Sequence, residues 1–226
     1  MNDGYHIDLH QYSLDQYKAT LESIELLPGR RILKDYLAER FEILKSNGIN
    51  NLYDLLEGLK SEARLDKLVI QTGIPRDYLV ILRREAGSLI HKPLILREIP
   101  GISGETLNRL DKLGIKTTRQ MFSKGSTRIN REELAQKSGI MSKEINELAA
   151  LSNLARLYGV GPIFARILLD AGIDSLDKLI YSDPEILYKK LITVNEQHNY
   201  TKIMASLKDV NFCVAFAKTL PRALEK

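Results

Sequence analysis

The sequence predicts an all-α protein built from tandem repeats of short helices, and three observations predict it. Leu and Ile recur at spacings of three and four, without the alternating β-branched runs of strands. The dipeptide Gly-Ile recurs at regular distances: Gly48 to Gly73 and Gly114 to Gly139 each span 25 residues, Gly101 to Gly114 spans 13, and the Gly-Val at Gly159 again stands 13 before Gly172. A residue suited to capping a helix stands at the same place after three of these glycines.

The elements follow in chain order. Ser13 with Gln16 predicts a capping box at a first helix. Aligning the chain on Gly48, Gly114 and Gly172 places Leu44, Leu110 and Leu168 four residues before, Ile49, Ile115 and Ile173 one after, and Leu55, Met121 and Leu179 seven after. Asn51, Thr117 and Ser175, three after, are N-cap residues, and Thr117 with Gln120 forms a second capping box. Each unit therefore reads as a helix, a glycine that lets the chain leave through the left-handed region, an Ile anchor and a capped helix. Around Gly73 and Gly139 the pattern repeats with Leu68 and Leu134 before, and Leu79 and Ile145 after. Asn130 with Glu133 is expected to cap the helix running into Gly139, and Asp183-Pro184-Glu185 starts a later helix. The expected organisation is a helical lead-in over 1–34, a degenerate first unit over 35–96, a second over 97–151, and a third over 152–226 with C-terminal helices. Such units are expected to share a continuous core, because each buries too little alone.

Two of the Gly-Ile corners are preceded by a tight turn. One is Ile99-Pro100-Gly101-Ile102-Ser103-Gly104 and the other Leu157-Tyr158-Gly159-Val160-Gly161-Pro162. Their pattern resembles the helix-hairpin-helix motif, closely in the third unit (Gly159, Val160, Gly161, Ala165, Leu168). The match is partial in the second, where Ser103 and Leu107 replace small residues, and degraded in the first, where Asp35-Tyr36-Leu37 occupies the turn. Over nearly its whole length the sequence resembles a bacterial family of tandem helix-hairpin-helix proteins known as a domain of unknown function. The resemblance is carried by Leu27-Pro28-Gly29-Arg30-Arg31-Ile32-Leu33, Tyr78-Leu79 with Arg83-Arg84-Glu85, Phe164-Ala165-Arg166, Asp183-Pro184 and Val194-Asn195-Glu196. It implies an all-helical repeat fold of tandem helix-hairpin-helix-like units and no established activity.

In such modules the glycine turn brings backbone N–H groups to a nucleic-acid phosphate, aided by the positive end of the next helix. Glycine is required because a Cβ would hold the phosphate away. The candidate residues are Gly159 and Gly161 with Arg166 one helical turn further on, Arg156 standing just before the turn, and Gly101 and Gly104 in the second unit. Glu105 opposes a phosphate at the second turn, and Pro162 removes one N–H from the third. The same turns also serve simply to pack short helices together, and that structural reading stays open. The charge distribution adds Lys112, Lys116 and Arg119 around Gly114. The net charge of +4 is the sum of −1 over 1–96, +5 over 97–143, −2 over 144–151 and +2 over 152–226. Such a stripe suits a solvated surface or a phosphate backbone, to which Lys and Arg add salt-sensitive attraction.

Composition excludes other classes. Hydrophobic residues at 44% and charged residues at 27% suit a globular chain rather than a disordered one. One cysteine, Cys213 in an apolar stretch, excludes a disulfide framework and a multi-cysteine zinc site and reads as a small buried hydrophobe. No apolar run spans a bilayer, and the N-terminal residues lack the basic start and apolar core of a signal peptide, so a cytoplasmic location without membrane contact is expected. There is no P-loop or dinucleotide fingerprint. His6 and His10 have helical i, i+4 spacing, but with only Asp3 and Asp8 nearby they read as incidental. No enzyme, cofactor or metal is expected. The expected function is non-catalytic binding of a nucleic-acid backbone, DNA before RNA. The alternative is a protein-interaction or scaffolding module.

Overall fold

A computed structural model of the chain describes residues 4–90 and 92–225. Among these residues it contains thirteen α-helices and two 3₁₀ helices, with no strand beyond two isolated bridges, so the fold is all-α. The chain forms two compact bodies, and the second is interrupted in sequence by the first.

Residues 7–91 form the first body. It holds α1 (Leu14–Ser23), a 3₁₀ helix (Pro28–Lys34), α2 (Leu37–Ser46), α3 (Leu52–Gly58), α4 (Glu62–Thr72) and α5 (Arg76–Ser88). The segment expected as a lead-in packs here, with α1 against α2 and the 3₁₀ helix against α5. Tyr17, Phe41, Leu44, Leu55, Leu65 and Leu79 form its core. Tyr78 is buried in it and its hydroxyl donates to the Leu33 carbonyl at 3.2 Å. Glu85 is buried and pairs with Arg30 of the 3₁₀ helix at 2.5 Å.

The second body comprises residues 1–6 and 92–226. A short 3₁₀ helix (Leu96–Glu98) leads to α6 (Gly104–Lys112), α7 (Thr118–Lys124), α8 (Arg128–Ser138) and α9 (Ser142–Leu154). Then come α10 (Pro162–Asp170), α11 (Leu176–Ile180), α12 (Pro184–His198) and α13 (Leu207–Ala217). The second half of α9 is buried at every position from Leu148 to Leu154, and the helix takes α7, α8 and α10 against it, so the second and third units share one core. Tyr5 is fully buried in this body, edge-on to Phe122 at 5.5 Å with its hydroxyl 2.5 Å from Thr118 Oγ1.

The repeated corner has one hydrogen-bond pattern in all three units. Gly48, Gly114 and Gly172 adopt φ of 84°, 72° and 85°. Ile49, Ile115 and Ile173 each donate their N–H to the Leu five residues back, at 3.0–3.1 Å. This is the bonding of a Schellman stop, and the Ile side chains are buried beneath it. Asn51, Thr117 and Ser175 cap the next helix, and the boxes of Ser13 with Gln16 and Thr117 with Gln120 are both closed. Gly73 and Gly139 end α4 and α8 in the left-handed region, and Asp183 caps α12. The cap of α8 is Thr127 rather than Asn130. Thr127 Oγ1 accepts from the Asn130 N–H at 3.1 Å, so the helix begins two residues earlier than Asn130. In the first two units the incoming chain pairs with the corner through one antiparallel bridge, Ser13 to Asn51 and Ile95 to Thr117.

Among the described residues no helix is long and apolar enough to cross a membrane.

Candidate nucleic-acid interface

The third turn, Leu157 to Gly161, is closed by the Val160 N–H on the Leu157 carbonyl at 3.1 Å, with Val160 buried as its anchor. Gly159 has φ 78°, is exposed, and nothing lies within 4 Å of where a Cβ would stand. Gly161 is the N-cap of α10 with an extended backbone, and no side chain caps that helix. Pro162 occupies its first position, so the next two amides belong to Ile163 and Phe164. Neither of these two amides is capped by a side chain.

The side chains around it turn inward. Arg156 is only 1% exposed. Its Nε donates to the Tyr5 carbonyl at 3.0 Å, one amino group to Asn153 Oδ1 at 2.5 Å and the other to the Pro221 carbonyl at 2.7 Å, and its guanidinium lies 4.7 Å over the Phe122 ring. Arg166 pairs with Asp170 along α10 at 2.8 Å, and Asp170 also accepts from the Tyr200 hydroxyl at 2.8 Å. Burial opposes the Arg166 charge, but the Asp170 hydrogen bond and charge more than offset this and raise its pKa. Tyr158 packs edge-on against Phe212 at 5.7 Å and near Phe216 at 6.0 Å, which staples the turn to α13.

The second turn is closed off. Gly101 has φ 82°, and a Cβ there would stand 3.1 Å from the Arg166 guanidinium, so Arg166 packs on this turn's backbone. Gly104 is exposed but is the first residue of α6, whose Thr106 amide is already capped by Ser103 at 3.0 Å. Glu105 pairs with Arg109 at 2.6 Å, and Glu144 accepts a hydrogen bond from the Thr106 hydroxyl. Two carboxylates and a filled cap oppose a phosphate here. The structure thus brings Gly101 and Arg166 together, but as a packing contact.

The Gly114 corner differs. Lys112 ends α6, Lys116 lies in the corner and Arg119 is in the first turn of α7, and all three are exposed. Lys112 and Lys116 have no carboxylate partner among the described residues. Elsewhere in 97–143 the charge is largely spent. Arg109 pairs with Glu105, Arg128 with Glu132 and Lys137 with Glu133, while Arg131 is buried on Asn146 and the Gly125 carbonyl. Only this pairing separates the outward cations from the others, and no sequence spacing reports it.

A groove of about 1240 Å³ also opens in the second body, between α8, α9, α11 and residues 222–225. Ala149, Ala150 and Tyr181 line it among mostly polar and charged side chains, of which Lys178 pairs with Asp174 and Arg222 with Asp177.

The remaining candidates carry no site. Cys213 is buried, and burial pushes its thiol up to about 12, far from a reactive thiolate. Residues 6–10 are not helical, so His6 and His10 have no shared helical face, and Asp3 lies outside the described residues. His10 stacks on Tyr53 at 4.0 Å. Among the described residues no group of His, Cys, Asp and Glu is arranged to hold a metal.

No curated protein and no solved structure matches the chain. A family model matches residues 100–220, just over half of the chain and wholly within the second body. With that match, the chain belongs to the family described as "Domain of unknown function (DUF4332)".

Proposed function

We propose that this is a non-catalytic, cytoplasmic bacterial protein of tandem helix-hairpin-helix units that binds a nucleic-acid backbone, DNA before RNA. The observation that carries the reading is the Gly114 corner, where exposed Lys112 and Lys116 lack carboxylate partners among the described residues and stand beside Arg119. Phosphate attraction of this kind is sequence-independent and sensitive to salt. The Ile163 and Phe164 amides at the start of α10, which no side chain caps, supply a second contact by the anion-binding logic of a helix N-terminus. Arg166 and Gly101 have no part in this reading, because they pack on each other, and Gly104 sits beside the acidic rim of its own helix.

The test is a titration of duplex DNA at low and moderate salt. Binding at low salt is expected, and replacing Lys112, Lys116 and Arg119 together with Ala should flatten the log–log salt slope by about 0.9 for each phosphate no longer neutralised. Absence of binding at low salt, or an unchanged slope in the triple variant, rejects the reading.

A protein-interaction or scaffolding role is the second reading. The inward turn of Arg156, Arg166 and Tyr158 favours it, as does the groove that exposed Tyr181 lines. It expects a co-purifying protein whose retention falls when Tyr181 is replaced with Ala, with no affinity for DNA.

A further inference from the structure

Tyr36 is an outlier. It has φ 49° and ψ 33°, and the only other described non-glycine residue with positive φ is Asn199, a type that tolerates the left-handed region. A bulky aromatic held there is strained, and such strain persists where it serves something. Glycines hold the left-handed φ thirteen residues before the corner in the other two units, at Gly101 and Gly159. In the first unit Tyr36 holds it twelve before Gly48. The residue caps nothing: it precedes α2 without any side-chain hydrogen bond to the helix amides. The residue is 71% exposed.

What the ring does touch is a fixed cation. The Arg40 guanidinium lies 5.4 Å from the Tyr36 ring centre and 4.2 Å from that of buried Tyr78, and donates to the Asp35 carbonyl at 3.0 Å. Arg40 therefore stacks between an inner and an outer tyrosine, and backs the outer one. Arg31 and Lys34 precede it in the 3₁₀ helix. Lys34 is bound to the Glu22 and Ile24 carbonyls rather than to a carboxylate. Neither Arg31, Lys34 nor Arg40 has a carboxylate partner among the described residues, whereas Arg30 is neutralised by Glu85. These three cations stand against the nearby carboxylates of Asp35 and Glu39 and leave the segment net positive.

We propose that Tyr36, backed by Arg40, is a stacking platform for an unpaired nucleobase, with Arg31 and Lys34 facing the phosphates beside it. Every base offers a π face, so a rigid exposed ring beside cations binds single strands with little sequence preference. A base stacked in a duplex cannot use such a ring. The proposal stands apart from the duplex reading of the Gly114 corner, because it uses different residues and a different nucleic acid.

The test is fluorescence anisotropy of the full chain with a labelled oligothymidylate, chosen because its bases stack little on one another. Wild type should bind at low salt, and Tyr36→Ala should weaken binding about five- to a hundredfold. Tyr36→Phe should bind within about twofold of wild type, because it keeps the ring. Tyr36→Gly should lose binding like the Ala variant while keeping or raising Tm, since it relieves the left-handed strain. A Tm that falls in Tyr36→Gly while oligothymidylate binding survives marks a purely structural tyrosine and overturns the proposal. So does wild-type affinity in Tyr36→Ala, or no binding by wild type. Duplex affinity should be unchanged in all three variants, so failure here and failure of the Gly114 reading register in separate titrations.

Discussion

Arg156 stands three residues before Gly159, where a cation is expected to reach a phosphate. It instead forms the polar centre of the second body, holding the Tyr5 and Pro221 carbonyls and lying over Phe122. Replacing it with Ala strands those carbonyls in the interior and should cost about 3–5 kcal/mol, checked by urea unfolding. Two titrating groups test burial in the same way. Tyr78 is pushed up to about 12 by burial, partly countered by Arg40. Because the folded state keeps its proton longer, this contribution to stability is complete below about pH 10, where a free tyrosine ionises, and is lost between there and about 12. Tm measured from pH 9 to 11.5 should decline over that window, and less steeply in Tyr78→Phe. Cys213, likewise buried, should be unreactive to thiol reagents at pH 8 in the native protein and react once unfolded.

At the scale of the element, the repeated corner separates two kinds of glycine. Gly172 has φ 85° and ends the helix before Ile173, so Gly172→Ala should cost about 1–2 kcal/mol through the left-handed penalty. Gly104 lies in the first turn of α6 with ordinary φ and open space around it, so Gly104→Ala should be neutral or stabilise by up to about 1 kcal/mol. Thermal unfolding of the two variants checks the contrast. The caps were legible because their chemistry is local: Ser13, Asn51, Thr117, Ser175 and Asp183 each bond to an amide two or three residues on. Asn130 misled because Thr127, also a good cap, stands three residues earlier, and a local rule cannot rank two adjacent candidates.

For the whole molecule, the informative feature is that residues 1–6 belong with 92–226 while 7–91 form a body of their own. Tyr5 contributes a fully buried ring and a backbone carbonyl to the second body. Tyr5→Ala should therefore destabilise residues 92–226 by about 3–5 kcal/mol, read as reduced hydrogen-exchange protection in α7 and α9 with α2–α5 unaffected. No periodicity announces this, because a single aromatic near the start of a chain carries no sign of where it will be buried.

The sequence by itself determined the repeated helices, their glycine stops and their caps, that of α8 excepted. Glycine dihedrals, Schellman bonds and capping hydroxyls act within five residues, so the residues that make them are neighbours in the chain. It also identified the glycine turns and the cations beside them, though not those beside Tyr36. Only the tertiary structure decided which of those face out. Arg156, Arg166 and Arg131 are spent on partners 151, 65, 4, 15 or 6 residues away, while Lys112 and Lys116 remain on the surface. The reason is that a side chain's charge is written in the sequence, but the groups that neutralise or bury it are brought to it by folding.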